Sequence, residues 1–420
     1  MADVARSRGA VPKVRRLTWW ARVWTPFWAV PAAFALIALA LGVALPEADR
    51  WLRAYVLWVF PGGPVAARDV LTTIASAMIS TTGVVFSITM VVLQLASSQF
   101  TPRVLGSFLS SRVVQGTFGV FIGTFVFSLT VLRSVLDQTD TDPGFVPRVS
   151  VSFAFVLALA CVACLLAFIR HITEMIQVSR VISRVGNQTM ALVERVFPPE
   201  VDPGSGGPGW SPDVGSSRHE VLLDDRHGHV DEIDLHGLVR IAEQAEGVFV
   251  LAAPLGSFRT HGQRVGVLWG GRFDEEVACG VNAALELTNQ RSMRQDVTFG
   301  FRQLIDIGER ALSPGVNDPT TASQVIDELH RILREVVQRR PTSPYLTTEG
   351  GVVRVVAPTL SATELIRFAV EELAHYGAES IQIPRRVHGM LADLESCALP
   401  QYRDAINRLG RDLVPPAQAP

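Results

Sequence analysis

Four uncharged stretches of the sequence, each long enough to cross a lipid bilayer, constrain the fold most strongly. They run from Trp24 to Leu45, Val70 to Pro102, Val113 to Leu132 and Val149 to Ile169, with 22, 33, 20 and 21 residues free of Asp, Glu, Lys and Arg. A helix of about 20 apolar residues spans a hydrocarbon core of about 30 Å, and a helix satisfies its own backbone hydrogen bonds in lipid. The sequence therefore predicts four transmembrane helices.

The overall composition excludes several other classes of protein. The chain is 48% apolar and 19% charged, whereas an average soluble domain is about 25% charged. Its net charge of −2 argues against a nucleic-acid partner bound through bulk basicity. Four cysteines in 420 residues argue against a disulfide-rich scaffold. The partner that the composition does predict is the lipid bilayer.

Basic residues near the ends of the stretches predict the orientation. The first stretch is longer than the 7–15 apolar residues of a signal peptide, so we interpret it as a retained span. The segments before the first stretch, between the second and third, and after the fourth carry basic residues, mostly arginine, whereas the other two loops mix basic with acidic residues. The positive-inside rule then places both termini in the cytoplasm.

The second stretch carries a stripe of small and polar residues. Their spacing of three, four or seven residues places them on one side of a helix; they are Ser76, Ser80, Gly83, Ser87, Gln94 and Ser98, with Arg103 just beyond. One interpretation is close packing between helices. The other is the wall of a water-filled pore in an oligomer. Gly119 and Gly123 in the third stretch have packing spacing, and we interpret Cys161 and Cys164 in the fourth as apolar filler.

The sequence beyond the spans predicts a cytosolic α+β domain. We divide the chain into a basic arm (1–23), a four-helix transmembrane domain with a helical stalk to Phe197 (24–197), a flexible linker rich in Gly and Pro (198–218), the α+β domain (219–412) and a disordered tail (413–420). Within the α+β domain we predict strands at 247–253, 265–269 and 352–357 and helices at 299–312, 319–339, 361–376, 383–397 and 400–409.

The sequence lacks the residue patterns of common catalytic and metal sites. There is no GxSxG, no kinase motif set and no HExxH, and the GSGGPG stretch has no strand, lysine and helix to make it a phosphate loop. His227 and His229 are one residue apart, with His219 and His236 nearby, but no cysteine lies near them, so we interpret them as surface histidines. We therefore expect no enzymatic activity, no cofactor and no metal site.

One segment of the α+β domain stands apart as a candidate ligand loop. Between two predicted helices lies a turn from Arg310 to Thr321, in which Asp318 is placed to cap the second helix and Pro319 to begin it. The N–H groups of that helix start could accept an anion. The candidate residues are Arg310, Ser313, Asn317 and Asp318, and the alternative is a rigid structural corner.

Two blocks of sequence, 76–103 and 310–321, resemble the bacterial predicted-membrane-protein family known as domain of unknown function 2254. The resemblance covers nearly the whole chain, from about Trp19 to about Leu409. It implies a multi-span protein of the bacterial inner membrane with a cytosolic C-terminal domain, and it implies no reaction.

These observations leave two main hypotheses for function. The first is a homo-oligomeric channel whose path is lined by Ser80, Ser87 and Gln94. The second is a membrane-anchored sensor or scaffold whose cytosolic domain binds a ligand or a partner protein near Asn317 and Asp318. An enzyme would need a nucleophile–base pair or a metal set, and the sequence offers neither.

Overall fold

A computed structural model describes residues 27–52, 60–99, 111–136, 145–197, 209–213, 215–340 and 343–413. These residues form two units that divide between Gln177 and Val178. We call them the four-helix unit and the C-terminal unit. The predicted basic arm (1–23), Arg103, most of the predicted linker and the tail beyond residue 413 lie outside the described residues.

The four-helix unit consists of four long helices, α1 to α4. Their bounds are Ala29–Leu52, Pro64–Gln99, Arg112–Leu132 and Arg148–Ile176. Each is long and apolar enough to cross a membrane. The four predicted spans therefore correspond to four helices, although α1, α2 and α4 extend beyond the uncharged stretches at one end or both.

Helix α3 is the central helix of this unit and contacts the other three. Its glycines allow α1 to approach closely, because a Cβ atom at Gly119 would lie 2.8 Å from a ring carbon of Phe34 and one at Gly123 would lie 3.5 Å from the Phe34 carbonyl oxygen. Such small residues let helix backbones come together in lipid. Cys161 of α4 packs against α3, with its Sγ 3.2 Å from Oγ1 of Thr124.

The N-terminus of α4 is capped from a distant part of the unit. The Asp49 side chain is fully buried, and its Oδ2 accepts the backbone N–H groups of Val149 at 2.9 Å and Ser150 at 3.3 Å. The first N–H groups of a helix have no partner within the helix. The Asp49 carboxylate is a hydrogen-bond acceptor for two of these N–H groups, and it lies at the positive end of the helix dipole.

The predicted continuous stalk is interrupted. Helix α4 ends at Ile176, Gln177 adopts an extended conformation with ψ of 112°, and α5 spans Val178–Val196. The apolar side of α5 packs onto helices of the C-terminal unit rather than extending the fourth span. The buried side chains of this face include Val181, Val185 and Leu192. The helical periodicity was predicted correctly, but periodicity alone does not reveal a one-residue break.

Eight short strands of the C-terminal unit form two sheets. The strands are β1 (Arg218–Leu222), β2 (Gly228–Ile233), β3 (Val248–Leu251), β4 (Phe258–Arg259), β5 (Arg264–Trp269), β6 (Leu285–Thr288), β7 (Tyr345–Thr347) and β8 (Val353–Val356). One sheet has the order β1-β5-β3-β8-β7 and the other the order β4-β2-β6. Only the β3–β8 pair is parallel among these strands.

Seven further helices of the C-terminal unit complete its described part. They are α6 (Leu235–Gln244), α7 (Glu275–Ala283), α8 (Val297–Leu312), α9 (Pro319–Val337), α10 (Ala362–Tyr376), α11 (Gln382–Cys397) and α12 (Pro400–Leu413). Helices α6 and α7 share a core with the sheets that includes Leu238, Val281 and Phe249. Helix α8 is buried along most of its length and contacts α5, α9 and α10. The C-terminal unit is therefore an α+β structure, as predicted.

Two glycines lie where α5 packs against its neighbours. A Cβ atom at Gly300 of α8 would lie 2.2 Å from Oγ1 of Thr189, and one at Gly186 of α5 would lie 2.0 Å from a carboxylate oxygen of Glu328 on α9. Contacts this short do not occur between real side-chain atoms. The spacing of α5 and α8 therefore depends on the absence of a side chain at Gly300, because Thr189 is short and buried, whereas the long Glu328 side chain can turn away from position 186.

Candidate functional site: the polar face of α2

Helix α2 has one side packed against the four-helix unit and one side exposed. The packed side includes the buried residues Leu71, Ile74, Val85 and Val92. Only 17% of the most apolar stretch of α2 is buried within the chain, against 56% for α3. Most of the surface of α2 is therefore available to lipid, water or another protein chain.

The predicted polar stripe lies on the exposed side. Ser76, Ser80, Gly83, Ser87 and Gln94 are all exposed. At about 100° per residue, these positions are roughly opposite Val85 on the helix. A Cβ atom at Gly83 would meet nothing within 4 Å. The stripe therefore does not pack against the other described helices of its own chain, in contrast to Gly119 of α3.

Hydroxyl groups of α2 and its neighbours partly satisfy their hydrogen-bonding capacity within the helix. Ser87 Oγ donates to the carbonyl oxygen of Gly83 at 2.9 Å, and Thr82 and Thr89 donate to the carbonyl oxygens four residues earlier at 2.6 and 2.7 Å. These hydroxyls keep acceptor capacity, and the Gln94 amide has two N–H donors and an oxygen acceptor. We call Ser76, Ser80, Gly83, Ser87 and Gln94 the α2 polar face. Ser98 lies on α2, but its side chain is outside the described residues.

The candidate ligand loop leads into α9 through a capping carboxylate, Asp318. Asp318 Oδ1 accepts the backbone N–H of Thr321 at 3.1 Å, and Thr321 Oγ1 donates to Oδ2 at 2.6 Å. These hydrogen bonds from Thr321 lower the pKa of Asp318. The N-terminus of α9 is thus occupied by its own capping carboxylate, while Asn317 has a left-handed φ of 47° and Ser313 Oγ donates to the Arg310 carbonyl oxygen.

The histidines near β1 and β2 differ in their surroundings. His229 Nδ1 is 3.1 Å from the carbonyl oxygen of Gly256, His219 stacks on Phe273, and His227 is exposed. Across the part of the chain that the structure describes, no group of three His, Cys, Asp or Glu side chains is arranged to hold a metal ion.

A partly buried cluster of charged residues between α8 and α10 was not predicted. The Arg302 guanidinium donates to Asp306 at 2.5 Å, to Glu309 at 2.7 Å and to both carboxylate oxygens of Glu372 at 2.7 Å. We call these four residues the Arg302 cluster. Arg302, Asp306 and Glu309 follow helical spacing and could have been found in the sequence, but Glu372 is 70 residues away from Arg302.

The carboxylates of the Arg302 cluster outnumber its one cation. Burial, and after it the adjacent Glu372, raise the pKa of Glu309, and Arg302 lowers it; the net result is a pKa of about 7. An acid whose pKa is higher in the folded than in the unfolded state stabilises folding when protonated. That contribution is complete below the unfolded pKa and is lost as pH rises through about 7.

Replacing Glu309 by glutamine should remove this pH dependence. Between about pH 5 and about pH 8 we expect the unfolding free energy of the wild-type C-terminal unit to fall by on the order of 1 kcal/mol, because Glu309 loses its proton in this range. The Glu309 side chain is only 23% exposed, so solvent screens the effect only in part. The Glu309→Gln variant should lose less. Urea unfolding midpoints at the two pH values measure the difference. The control is the Glu335→Gln variant, whose carboxylate is exposed in its ion pair with Arg339; its stability should depend on pH as that of the wild type does.

A second network of charged residues joins α9 to α11. His330 Nε2 lies 2.8 Å from Asp393, its Nδ1 lies 2.9 Å from a nitrogen of Arg386, and Arg386 also pairs with Asp327. Arg334 pairs with Asp393. With Asp393 against one ring nitrogen of His330 and Arg386 against the other, the His330 side chain connects α9 to α11.

A carboxylate on β2 is buried with incomplete pairing. Glu232 lies opposite Glu286 in the β2–β6 pair, and Arg294 approaches the two carboxylates at 3.5 and 3.3 Å. Burial raises the pKa of Glu232, while Arg294 lowers it and Glu286 raises it. Like charges directly opposite each other destabilise a sheet, so we assign Arg294 the structural role of separating them.

The order of the two units along the chain is the feature that defines the class of this protein. The chain has four helices that are long and apolar enough to cross a membrane, followed by an α+β unit. It belongs to the family of predicted membrane proteins designated DUF2254, which matches residues 24–393. The resemblance seen in the sequence is thereby confirmed, and the match includes parts of both structural units.

The relatives of this chain share most of its length. Two uncharacterized proteins, one of Mycobacterium bovis and one of Mycobacterium tuberculosis, are each 28% identical to it over 392 residues. The aligned region covers 90% of this chain and 74% of each relative. No solved structure matches the chain.

Proposed function

We propose that this protein is a multi-pass protein of the bacterial inner membrane that forms a homo-oligomeric channel through the α2 polar face. In this proposal both termini are cytoplasmic, and the faces of several copies surround a water-filled path for ions or small solutes. The C-terminal unit lies on the cytoplasmic side, where it regulates the path. No catalytic step is part of the proposal.

The observation that carries the proposal is the position of the α2 polar face. It is roughly opposite the packed side of α2, so the helices that the structure describes do not cover it. Polar side chains within hydrocarbon are costly unless they find partners, and they commonly face a bundle interior or a water-filled cavity. Association of copies around this face supplies such an environment for Ser80, Ser87 and Gln94.

The chemistry of the spans favours a passive path over a coupled transporter. The four uncharged stretches contain no Asp, Glu, Lys, Arg or His. Proton relays, voltage sensors and charge-coupled transporters depend on ionisable groups within the membrane. Hydroxyl and amide groups can replace part of the hydration of a solute without carrying a fixed charge.

Replacing Gln94 by leucine should strongly reduce flux. We expect the purified protein in liposomes to pass ions or small solutes. The Gln94→Leu variant should pass them about tenfold more slowly, because leucine side chains from all copies would replace the amides that surround the path at this level. Release of trapped ions and small solutes from proteoliposomes measures the rate. Ile88→Leu is the control, because Ile88 is exposed on a different side of the same helix.

Two results would count against the channel. One is the absence of flux for every solute in a broad panel, when the protein is shown to be inserted and folded. The other is equal flux for the wild type, Gln94→Leu and Ile88→Leu, which would place the path elsewhere.

A further inference from the structure

An acidic residue near the start of α2, Asp69, lies in line with the α2 polar face. It directly precedes the uncharged stretch of the helix, seven residues before Ser76 and eighteen before Ser87. At about 100° per residue, seven residues return to within about 20° of the same direction, and eighteen residues complete about five turns. Asp69 is exposed, as are the residues of the α2 polar face. The polar side of α2 therefore ends in a carboxylate.

The charge of Asp69 lies on the exposed side of α2, whereas the neighbouring cation lies towards the packed side. Ala67 and Leu71, two residues to either side of Asp69, are fully buried. The Nη2 group of Arg68 donates to the carbonyl oxygen of Val135, just beyond α3, at 3.0 Å. Within the described part of the four-helix unit, the Asp69 carboxylate forms no ion pair. Its negative charge is therefore presented outward.

Other charged side chains at this end of the four-helix unit belong to other helices. Arg133 follows α3, Arg148 begins α4, and both are exposed. Helices α3 and α4 are the ones that pack against α2, so these arginines extend from the helices on its packed side. The only charged residues of α2 itself are Arg68 and Asp69. Asp69 is therefore the charged residue of α2 that shares a side with the α2 polar face.

The distance along α2 places Asp69 at the opposite end of the polar side from Gln94. The two residues are 25 positions apart, which corresponds to about 37 Å of helix. A hydrocarbon core is about 30 Å thick. If Gln94 lies near one edge of the core, Asp69 lies at the other edge, where water can solvate a charged side chain.

We propose that the Asp69 carboxylates of the associated copies form a ring at the outer mouth of the path and select small inorganic cations. This inference rests on the proposed channel and names the class of solute that it passes. Rings of acidic side chains give pores a preference for cations. Charge of one sign in an opening with low-dielectric walls concentrates the counter-ion and repels ions of its own sign. Asp69 thus determines specificity, while the uncharged α2 polar face lines the rest of the path.

The test measures the ratio of potassium to chloride permeability from the zero-current potential across a bilayer that holds the full chain under a KCl gradient. We expect the wild type to prefer potassium by about tenfold, and the Asp69→Asn variant to lose this preference because its ring carries no charge. The control is Glu47→Gln, which removes an exposed carboxylate from α1 at the same end of the unit. Helix α1 packs on α3 and α4, so this variant should keep the wild-type ratio.

Chemical restoration of the charge separates selectivity from folding. In a background without Cys161, Cys164, Cys279 and Cys397, the Asp69→Cys variant should show little preference between the two ions. Labelling with an anionic methanethiosulfonate reagent should restore the preference for potassium, and a cationic reagent should produce a preference for chloride. Because the same inserted protein is measured before and after labelling, a folding defect cannot imitate this result.

The outcomes distinguish failure of the ring from failure of the channel. Measurable flux with the same permeability ratio in the wild type and Asp69→Asn would overturn the role of Asp69 and leave the channel standing. An equal loss of preference in Glu47→Gln would also overturn it, since the effect would then come from the general charge of this end. Absence of flux in the wild type would overturn the channel itself and the inference with it.

Discussion

Replacing Arg302 by methionine is expected to destabilise the C-terminal unit by about 3 kcal/mol, because the substitution leaves three carboxylates without their shared cation. Asp306 is only 5% exposed, and the Arg302 side chain is 18% exposed. Burial by itself disfavours the charged guanidinium, but Glu372, Asp306 and Glu309 more than offset this effect and raise the pKa of Arg302. The arginine therefore stays charged in the folded protein.

Peptide-resolved hydrogen exchange of the full chain in detergent measures this effect locally. A loss of about 3 kcal/mol corresponds to roughly 100-fold faster exchange in α8 and α10 if these helices exchange through unfolding of the unit. Adding Asp306→Asn or Glu309→Gln to Arg302→Met should recover part of the loss, because each removes one unpaired carboxylate.

The matched control is Arg272→Met, because Arg272 pairs with Asp274 on the surface and its side chain is 73% exposed. Exposed ion pairs contribute about 0–1 kcal/mol, so exchange in this variant should change little. Equal effects of Arg302→Met and Arg272→Met would show that the Arg302 cluster does not hold α8 against α10.

Replacing Gly300 by alanine should cost about 2 kcal/mol, since the new Cβ atom would lie 2.2 Å from Oγ1 and 3.0 Å from Cβ of Thr189. Thr189 is fully buried, and its hydroxyl donates to the Val185 carbonyl oxygen at 2.8 Å. The contact can therefore be relieved only by moving α5 away from α8. Unfolding midpoints in urea measure the change in stability.

Replacing a second glycine, Gly389, by alanine is the control, and its expected effect on stability is opposite to that of Gly300→Ala. A Cβ atom at Gly389 of α11 would meet nothing within 4 Å, and alanine has a higher helix propensity than glycine by up to about 1 kcal/mol. Gly389→Ala should therefore stabilise the protein slightly. A Gly300→Ala variant as stable as the wild type would contradict the close packing of α5 and α8.

The sequence was most informative where one physical requirement dominates. Uncharged stretches of 20 to 33 residues have few stable environments other than a bilayer, and four helices occur at those positions. The start of α9 was also predicted, because Asp318 and Pro319 combine a capping side chain with a residue that suits the first helical turn. In both cases the signal is local in the sequence.

Features that depend on distant contacts were not predicted. Helix α7 and strand β6 lie in the segment between residues 270 and 298, where no element was assigned, and β6 is stabilised by pairing with β2. The Arg302 cluster depends on Glu372 from another helix. Periodicity shows which residues share a side of α2 but not that this side faces outward, because direction is determined by the packing of Leu71 and Val85.

The accessibility of α2 to water tests the central claim most directly. In a background without Cys161, Cys164, Cys279 and Cys397, single cysteines are placed at Ser80 and Ser87 on the α2 polar face and at Ile88 and Phe155 on other exposed surfaces of the four-helix unit. The reconstituted protein is then treated with a membrane-impermeant thiol reagent. A water-filled path predicts that Ser80→Cys and Ser87→Cys react about tenfold faster than Ile88→Cys and Phe155→Cys. Equally slow reaction at all four positions would contradict it.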